Sequence, residues 1–133
     1  MRSALRLAIA EPEHGPEIAR LIGADHLELD WSNLGGQWVV VMRGERIAAC
    51  AQVLPGRPIG QIEHMGLAED LTPRERAEAV SMVISQCSML LTMAGCGVVM
   101  TTVPDDLPGY KRVLERRGAV AFRKGDVMMK RLG

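Results

Sequence analysis

The sequence predicts a single α/β domain over residues 1–133. Its central sheet is mixed but mostly antiparallel, with six to seven strands flanked by three to four helices. Three observations carry this reading. The chain has 133 residues, room for one core rather than two. Runs of β-type alternation and stretches at helical spacing succeed one another along it, with no repeat, low-complexity tract or linker between them. Two strand–helix–strand crossings bracket three consecutive strand-like runs, which gives parallel neighbours around an antiparallel meander.

Residues 4–10 alternate and predict a strand, broken by Glu11-Pro12-Glu13. From His14 to Ile22, the residues Ile18, Leu21 and Ile22 sit at i, i+3 and i+4, the spacing of a short amphipathic helix. Residues 24–36 are polar, with Leu27, Leu29, Trp31 and Leu34 interspersed and Gly35-Gly36 at the end, and read as a helical turn and a loop. Gln37–Met42 is a β-rich run. Arg43-Gly44-Glu45 turns it into Arg46–Leu54, and Pro55-Gly56-Arg57-Pro58 leads to a third run, Ile59–Leu67.

Thr72-Pro73-Arg74-Glu75 is a helix start. Thr72 caps, Pro73 suits the first helical position and Glu75 completes the capping box. The helix is expected to run to about Ala94, with Val80, Val83, Ile84, Cys87, Leu91 and Ala94 in its core stripe. Met82, Met89 and Met93 widen that stripe, which predicts cover on more than one side. Val98–Val103 is a β-branched strand closed by Pro104. Pro108–Arg117 is a short helix with Tyr110, Val113 and Leu114 on one face, ended by Gly118. Residues 119–132 read as a hairpin turning at Lys124-Gly125-Asp126.

Sixteen basic and sixteen acidic residues sum to zero net charge, which argues against a strongly basic nucleic-acid binder. Aromatics are only 3% of the chain, too few for a base-stacking surface. The zero is a sum of opposites. Residues 107–133 hold eight cations against Glu115 and Asp126, so this end carries +6 and the rest −6. Cys50, Cys87 and Cys96 are scattered, with no C-x-x-C pair. With His14, His26 and His64 they form no zinc template, so no metal is expected and the thiols read as reduced and mostly buried. Neither a signal peptide nor an apolar run near the roughly 20 residues that span a bilayer is present, so a cytoplasmic protein without membrane contact is expected.

The order of elements, with these residues, resembles the GCN5-related N-acetyltransferase (GNAT) family over nearly the whole chain. Leu5-Arg6-Leu7-Ala8 and Pro16–Leu21 are similar to its first strand and helix, Ile62–Leu67 to its fourth strand. Arg74–Val83 resembles its acetyl-CoA-binding turn, and Leu114–Gly118 the end of its last helix. The resemblance implies a GNAT-like fold and an acetyl-CoA-dependent N-acyltransferase. An acetyl group would move to a primary amine of a small-molecule or peptide acceptor by direct attack.

The family motif Gln/Arg-x-x-Gly-x-Gly/Ala maps onto Arg74, Glu75, Arg76, Ala77 and Ala79, with alanine where the first glycine belongs. Small residues let coenzyme A phosphates approach backbone N–H groups at a helix N-terminus. Pro73 lacks that donor, and Glu69, Asp70, Glu75 and Glu78 add negative charge nearby. In the family, the fourth and fifth strands part around the pantetheine arm, and a backbone N–H of the fourth polarises the thioester carbonyl. The matching positions are Met65, Gly66 and Leu67, with Gly66 suggesting a bulge.

Glu63 and His64 are the candidates for the base that deprotonates the incoming ammonium. Adjacent on a strand, they are expected to face opposite sides. The family's acid is a tyrosine four residues before the glycine ending the last helix. Here Leu114 holds that place, and Tyr110 lies one turn earlier. These departures motivate a second reading, a member that keeps the fold as a structural or interaction module after losing its chemistry. The methionine-rich outer side of the long helix would suit a homodimer.

Overall fold

The computed structural model describes residues 5–34, 36–126, 128 and 130. Ala4, Gly35 and Arg131 lie outside them. The elements are β1 (Leu5–Ile9), α1 (Gly15–Leu21), β2 (Gln37–Arg43), β3 (Arg46–Leu54), β4 (Ile59–Leu67), α2 (Pro73–Met93), β5 (Val98–Thr101) and α3 (Pro108–Arg116). Single 3-10 turns, Pro12–His14 and Asp25–Leu27, stand before and after α1.

The strands form one sheet in chain order, with β1 to β4 antiparallel and β5 parallel to β4. The meander and the crossing from β4 through α2 to β5 therefore stand as the sequence predicts, whereas the connection from β1 through α1 joins β1 to an antiparallel neighbour, β2. The strand count also differs: the described residues hold five strands. The expected hairpin falls on residues 119–132, of which 127, 129, 131 and 132 lie outside the described residues. The others, 119–126, 128 and 130, carry no strand, and Val120, Phe122 and Met128 are 82%, 72% and 88% exposed. Alternation supplies a β preference, and a strand forms only where a neighbouring edge is engaged.

Two cores lie on the two faces of the sheet. On one face, Val39, Val41, Ala49, Ala51, Val53 and Ile62 pack against Val80, Val83, Ile84, Cys87 and Leu91 of α2 and Tyr110 of α3. On the other, Trp38, Val40, Met42, Ile47 and Cys50 pack against Ile18 of α1. Each fully buried Val, Leu or Ile contributes about 1.5–3 kcal/mol. The long helix starts as its sequence dictates. The Glu75 amide donates to Thr72 Oγ1 at 3.1 Å, and the Thr72 amide to Glu75 Oε1 at 3.0 Å. Its cover is one-sided, however: Met82 packs on the core edge, while Met89 and Met93 are 48% and 77% exposed.

Two close approaches fix α1. A Cβ on Gly15 would fall 1.6 Å from the Trp31 carbonyl oxygen, so the segment after α1 is pressed onto its first turn. A Cβ on Gly66 would sit 3.0 Å from Leu21 Cβ and 3.1 Å from Cys50 Sγ, so the glycine lets α1 lie directly on β4. Among the described residues, no helix is long and apolar enough to cross a membrane.

Candidate functional site

β4 and β5 pair only from Ile59–Val98 to Ile62–Thr101. β4 continues to Leu67 while β5 ends at Thr101, so beyond the paired stretch β4 keeps an open edge, a fork whose second arm is the chain leaving β5. Backbone groups of the free arm on the β5 side have no sheet partner. Ala68 N donates to Ala48 O at 2.9 Å, and the Gly66 amide donates to the Cys50 thiol, both toward β3. Strand alternation therefore turns the Leu67 N–H, between them, into the fork.

The bulge expected at Gly66 sits one step earlier. Gln52 pairs with Glu63 and Cys50 with Gly66, so Ala51 faces two residues, His64 and Met65. His64 has φ 59°, a left-handed conformation uncommon outside glycine. This extra residue cancels the period of two. Trp38 pairs with Gln52 and Gln52 with Glu63, so all three share the α1 face of the sheet. The His64 ring stacks on Trp38, with centroids 6.0 Å apart and planes at 23°, which puts it on that same face. Glu63 and His64 thus stand together at the mouth of the fork, and the expectation of opposite faces is corrected by the bulge.

Glu63 is half-buried, and its carboxyl is pushed above the ordinary 4.5, chiefly by desolvation. The charge of His64 and a hydrogen bond from the Thr102 hydroxyl pull the other way. Thr102 follows β5, so that contact crosses the fork. Met65 is buried toward α2, and Gly66 lies against α1.

Tyr110 points into the core and is 1% exposed. Its hydroxyl lies 2.7 Å from Thr101 Oγ1, at the last paired position of β5. Burial pushes its pKa up to about 12, and the charge of Glu63 adds to that rise, so the phenol stands behind the fork, close enough to feel the carboxylate. Leu114 packs at the edge of the same core.

Arg74, Glu75, Arg76, Ala77 and Ala79 occupy the first two turns of α2, inside the helix rather than in a loop before it. Pro73 has no amide hydrogen, Glu75 N is held by Thr72 Oγ1, and Arg76 N donates to Thr72 O at 2.9 Å. Of the first four helical amides, only that of Arg74 remains. The Glu75 carboxylate also lies 3.5 Å from Arg43, whose other nitrogen meets Asp70 at 2.6 Å. Arg74 and Arg76 are exposed and make no ion pair among the described residues, whereas Ala79 is fully buried.

No family model and no curated protein sequence matches the chain. Solved structures do. A ribosomal-protein-alanine N-acetyltransferase from Brucella melitensis biovar Abortus 2308 superposes with TM-score 0.67 at 14% identity, over 96% of this chain and 100% of that one. An aminoglycoside N-acetyltransferase in complex with CoA gives 0.66 at 15%, over 99% and 98%. A transcriptional regulator from Bacillus halodurans C-125 gives 0.72 at 12%, over 96% and 100%. The chain has the GNAT fold. Within that fold, the forked strands and the bulge are present. At the motif's place, Arg74–Ala79 form the first turns of a capped helix, with Ala77 where the resemblance expects a glycine.

The sequence pointed to Glu63, His64 and Tyr110 but not to Trp38, Gln52, Thr101 or Thr102, which surround them. Their only signal is register: each lies directly across from, stacks on or hydrogen-bonds one of those three.

Proposed function

We propose that this GNAT-fold chain is an acetyl-CoA-dependent N-acyltransferase acting on a primary amine by direct attack. The observation that carries the proposal is the fork, with Glu63 and His64 brought to one face at its mouth by the bulge. The open arm of β4 fits a pantetheine chain, since an extended amide-bearing arm can use the backbone groups β5 leaves unpaired. The phosphates fit differently. Backbone donors at α2 are spent on its own cap, so the side chains of Arg74 and Arg76 would hold them, with the Arg74 amide. Met65, Gly66 and Leu67 would line the arm. Acetyl-CoA, when bound, supplies the acetyl group as a reactive thioester.

The remaining work falls to the chain's own groups. Glu63 takes a proton from the acceptor ammonium at a carboxylate oxygen, a task its raised pKa suits by bringing it nearer neutrality. His64, beside it and held by Trp38, gives that proton a path to water. The Leu67 N–H presents a fixed dipole where an oxyanion needs one. Tyr110 Oη, its pKa pushed up to about 12 by burial, keeps its proton around neutral pH, the state a donor requires.

A second reading keeps the fold without the chemistry. It draws on the capped α2 N-terminus, the Ala77 and Leu114 substitutions and a structural neighbour described as a transcriptional regulator. Calorimetric titration with acetyl-CoA and CoA separates the two. The enzyme reading expects binding that Arg74→Glu abolishes. No heat and no thermal shift at millimolar cofactor would leave the module reading standing, and unchanged affinity in Arg74→Glu would place the phosphates elsewhere.

A further inference from the structure

β1 is an edge strand: among the described residues, β2 pairs with one side of it and no strand with the other. The direction of its backbone groups follows from the register. Ala10 N donates to Trp38 O at 3.4 Å, in step with the β1–β2 ladder, so Ala8 and Arg6 also bond toward β2. The N–H and C=O groups of Leu5, Leu7 and Ile9 therefore point outward from the sheet. Natural edges are commonly guarded by a proline, a bulge or an outward charge. β1 has no proline and no bulge against β2. Arg6, its single charge, is turned inward and donates to Gly44 O in the β2–β3 turn at 3.3 Å.

The side chains beside that edge are apolar and uncovered. Leu7 and Ile9 lie across from Val41 and Val39, on the α2 face, yet are 42% and 83% exposed. Next to them runs a flank of α2 on which Gln86, Met89, Leu90 and Met93 recur at three- and four-residue spacing. Leu7, Ile9, Gln86 and Leu90 line a groove of about 220 Å³, and no charged side chain borders it.

We infer that this edge is a homodimer interface, in which the β1 strands of two copies pair antiparallel about a two-fold axis at Leu7 and join their sheets into one. The strand is complementary to itself in that register alone. Antiparallel bonding sets outward-pointing residues opposite one another, so the available registers differ in steps of two. With Leu7 opposite its copy, the whole strand pairs: Leu5 lies across from Ile9 of the copy, and Arg6 across from Ala8. One step in one direction sets Arg6 against its own copy, like charge on like charge. One step in the other drops Leu5 and Arg6 from the ladder. In the central register Leu5, Leu7, Ile9 and their copies floor a single groove with an α2 flank on each side, and their exposed surface leaves water. The fork between β4 and β5 lies at the opposite end of the strand order, so both forks stay open in the dimer, and the inference does not depend on what the fork does. One short strand and one helix flank per copy make a contact at the small end of stable interfaces, so the dimer dissociates on dilution.

Sedimentation velocity on the whole chain tests this. The mass is expected to rise from that of the monomer toward twice that value between low and high micromolar concentration. Ile9→Lys, at a position exposed enough for the monomer to keep its fold, is expected to stay monomeric over the same range, with circular dichroism checking the fold. Register is read by cross-linking under mild oxidation, against the level wild type shows. In a hydrogen-bonded antiparallel pair the Cα atoms lie about 5.5 Å apart, within disulfide reach, so Leu7→Cys is expected to link to its copy. Position 9 stands four residues out of step with its own copy, roughly 13 Å away, so Ile9→Cys is expected not to link. A chain that stays monomeric at high micromolar concentration overturns the inference and leaves the edge to a strand of another protein. So does a dimer that Ile9→Lys leaves intact, or one in which Leu7→Cys links no more than Ile9→Cys.

Discussion

Replacing Tyr110 with Phe removes one oxygen atom and tests whether that oxygen is chemical or structural. The phenol is 1% exposed, and among the described residues its hydroxyl hydrogen-bonds Thr101 Oγ1 at 2.7 Å. Losing a neutral intramolecular hydrogen bond costs about 0.5–1.5 kcal/mol, and Thr101 is half-buried, so water can reach its freed hydroxyl. A cost of about 1 kcal/mol follows, which lowers the melting temperature of a chain this size by roughly 4 °C. A proton donor contributes about 10²–10⁴-fold to rate, far beyond what that loss of stability produces below the melting range. In a steady-state assay at 25 °C, with folding checked by circular dichroism, the variant is expected to lose at least about a hundredfold in kcat. The pKa near 12 adds a constraint: the wild-type alkaline limb must not fall through Tyr110 ionisation anywhere below about pH 11. A variant with the expected drop in melting temperature but kcat within about threefold of wild type would refute the donor role. Tyr110 would then be a core residue that happens to stand behind the fork.

Glu63→Gln is expected to lower kcat about 10²–10⁴-fold and to remove the acid limb of the pH–rate profile, which in the wild type lies above 4.5. Its stability effect has the opposite sign. The carboxyl's pKa is raised by folding, so its contribution is fully present below the unfolded value of 4.5 and lost as pH rises through the folded one. The glutamine variant is therefore as stable as wild type at pH 4 and at least as stable at pH 7; urea melts at both values decide. Cys50, Cys87 and Tyr110 are all raised to about 12, the thiols from 9.0 and the phenol from 10.0. The contribution of these three groups to stability is thus constant below pH 9 and falls between pH 9 and 12. A flat urea midpoint over that window would contradict their burial. Gly66→Val drives a side chain into Leu21 and Cys50 and is expected to cost about 1–3 kcal/mol or more, read as a lower melting temperature. An unchanged melt would mean that α1 does not rest on β4.

What the sequence made legible was local. The capping box at Thr72 and Glu75 announces α2 because both partners lie within one turn, and they bond reciprocally. The turns at residues 43–45 and 55–58 announce the meander for the same reason. What was not legible depends on partners distant in sequence. His64 takes a left-handed conformation against its own preference because the register of β3 leaves Ala51 opposite two residues. The fork exists because pairing with β5 stops at Thr101, which no property of residues 63–67 dictates. Residues 119–126 carry strand-like alternation yet lie exposed, since a β preference without an engaged edge is not a strand. Met89 and Met93 complete a helical stripe that nothing described covers.

The bulge is what makes the site one site. Without the extra residue, His64 would face α2 with Met65's neighbours and Glu63 would stand alone on the α1 face, one titratable group at the fork. With it, the pair shares a face, and Trp38 holds the ring beside the carboxylate. The same insertion places Gly66, not a larger residue, under Leu21, where α1 needs bare backbone to close down. A single residue's slip in β4 therefore sets both the chemistry at the mouth and the approach of the helix that walls it. The departures in this chain, Ala77, Leu114 and the capped turn at Thr72, all fall elsewhere, on the two helices that would serve the carrier's phosphates and sulfur. What separates the enzyme reading from the module reading is therefore whether those two helices hold the carrier, which the cofactor titration reads directly.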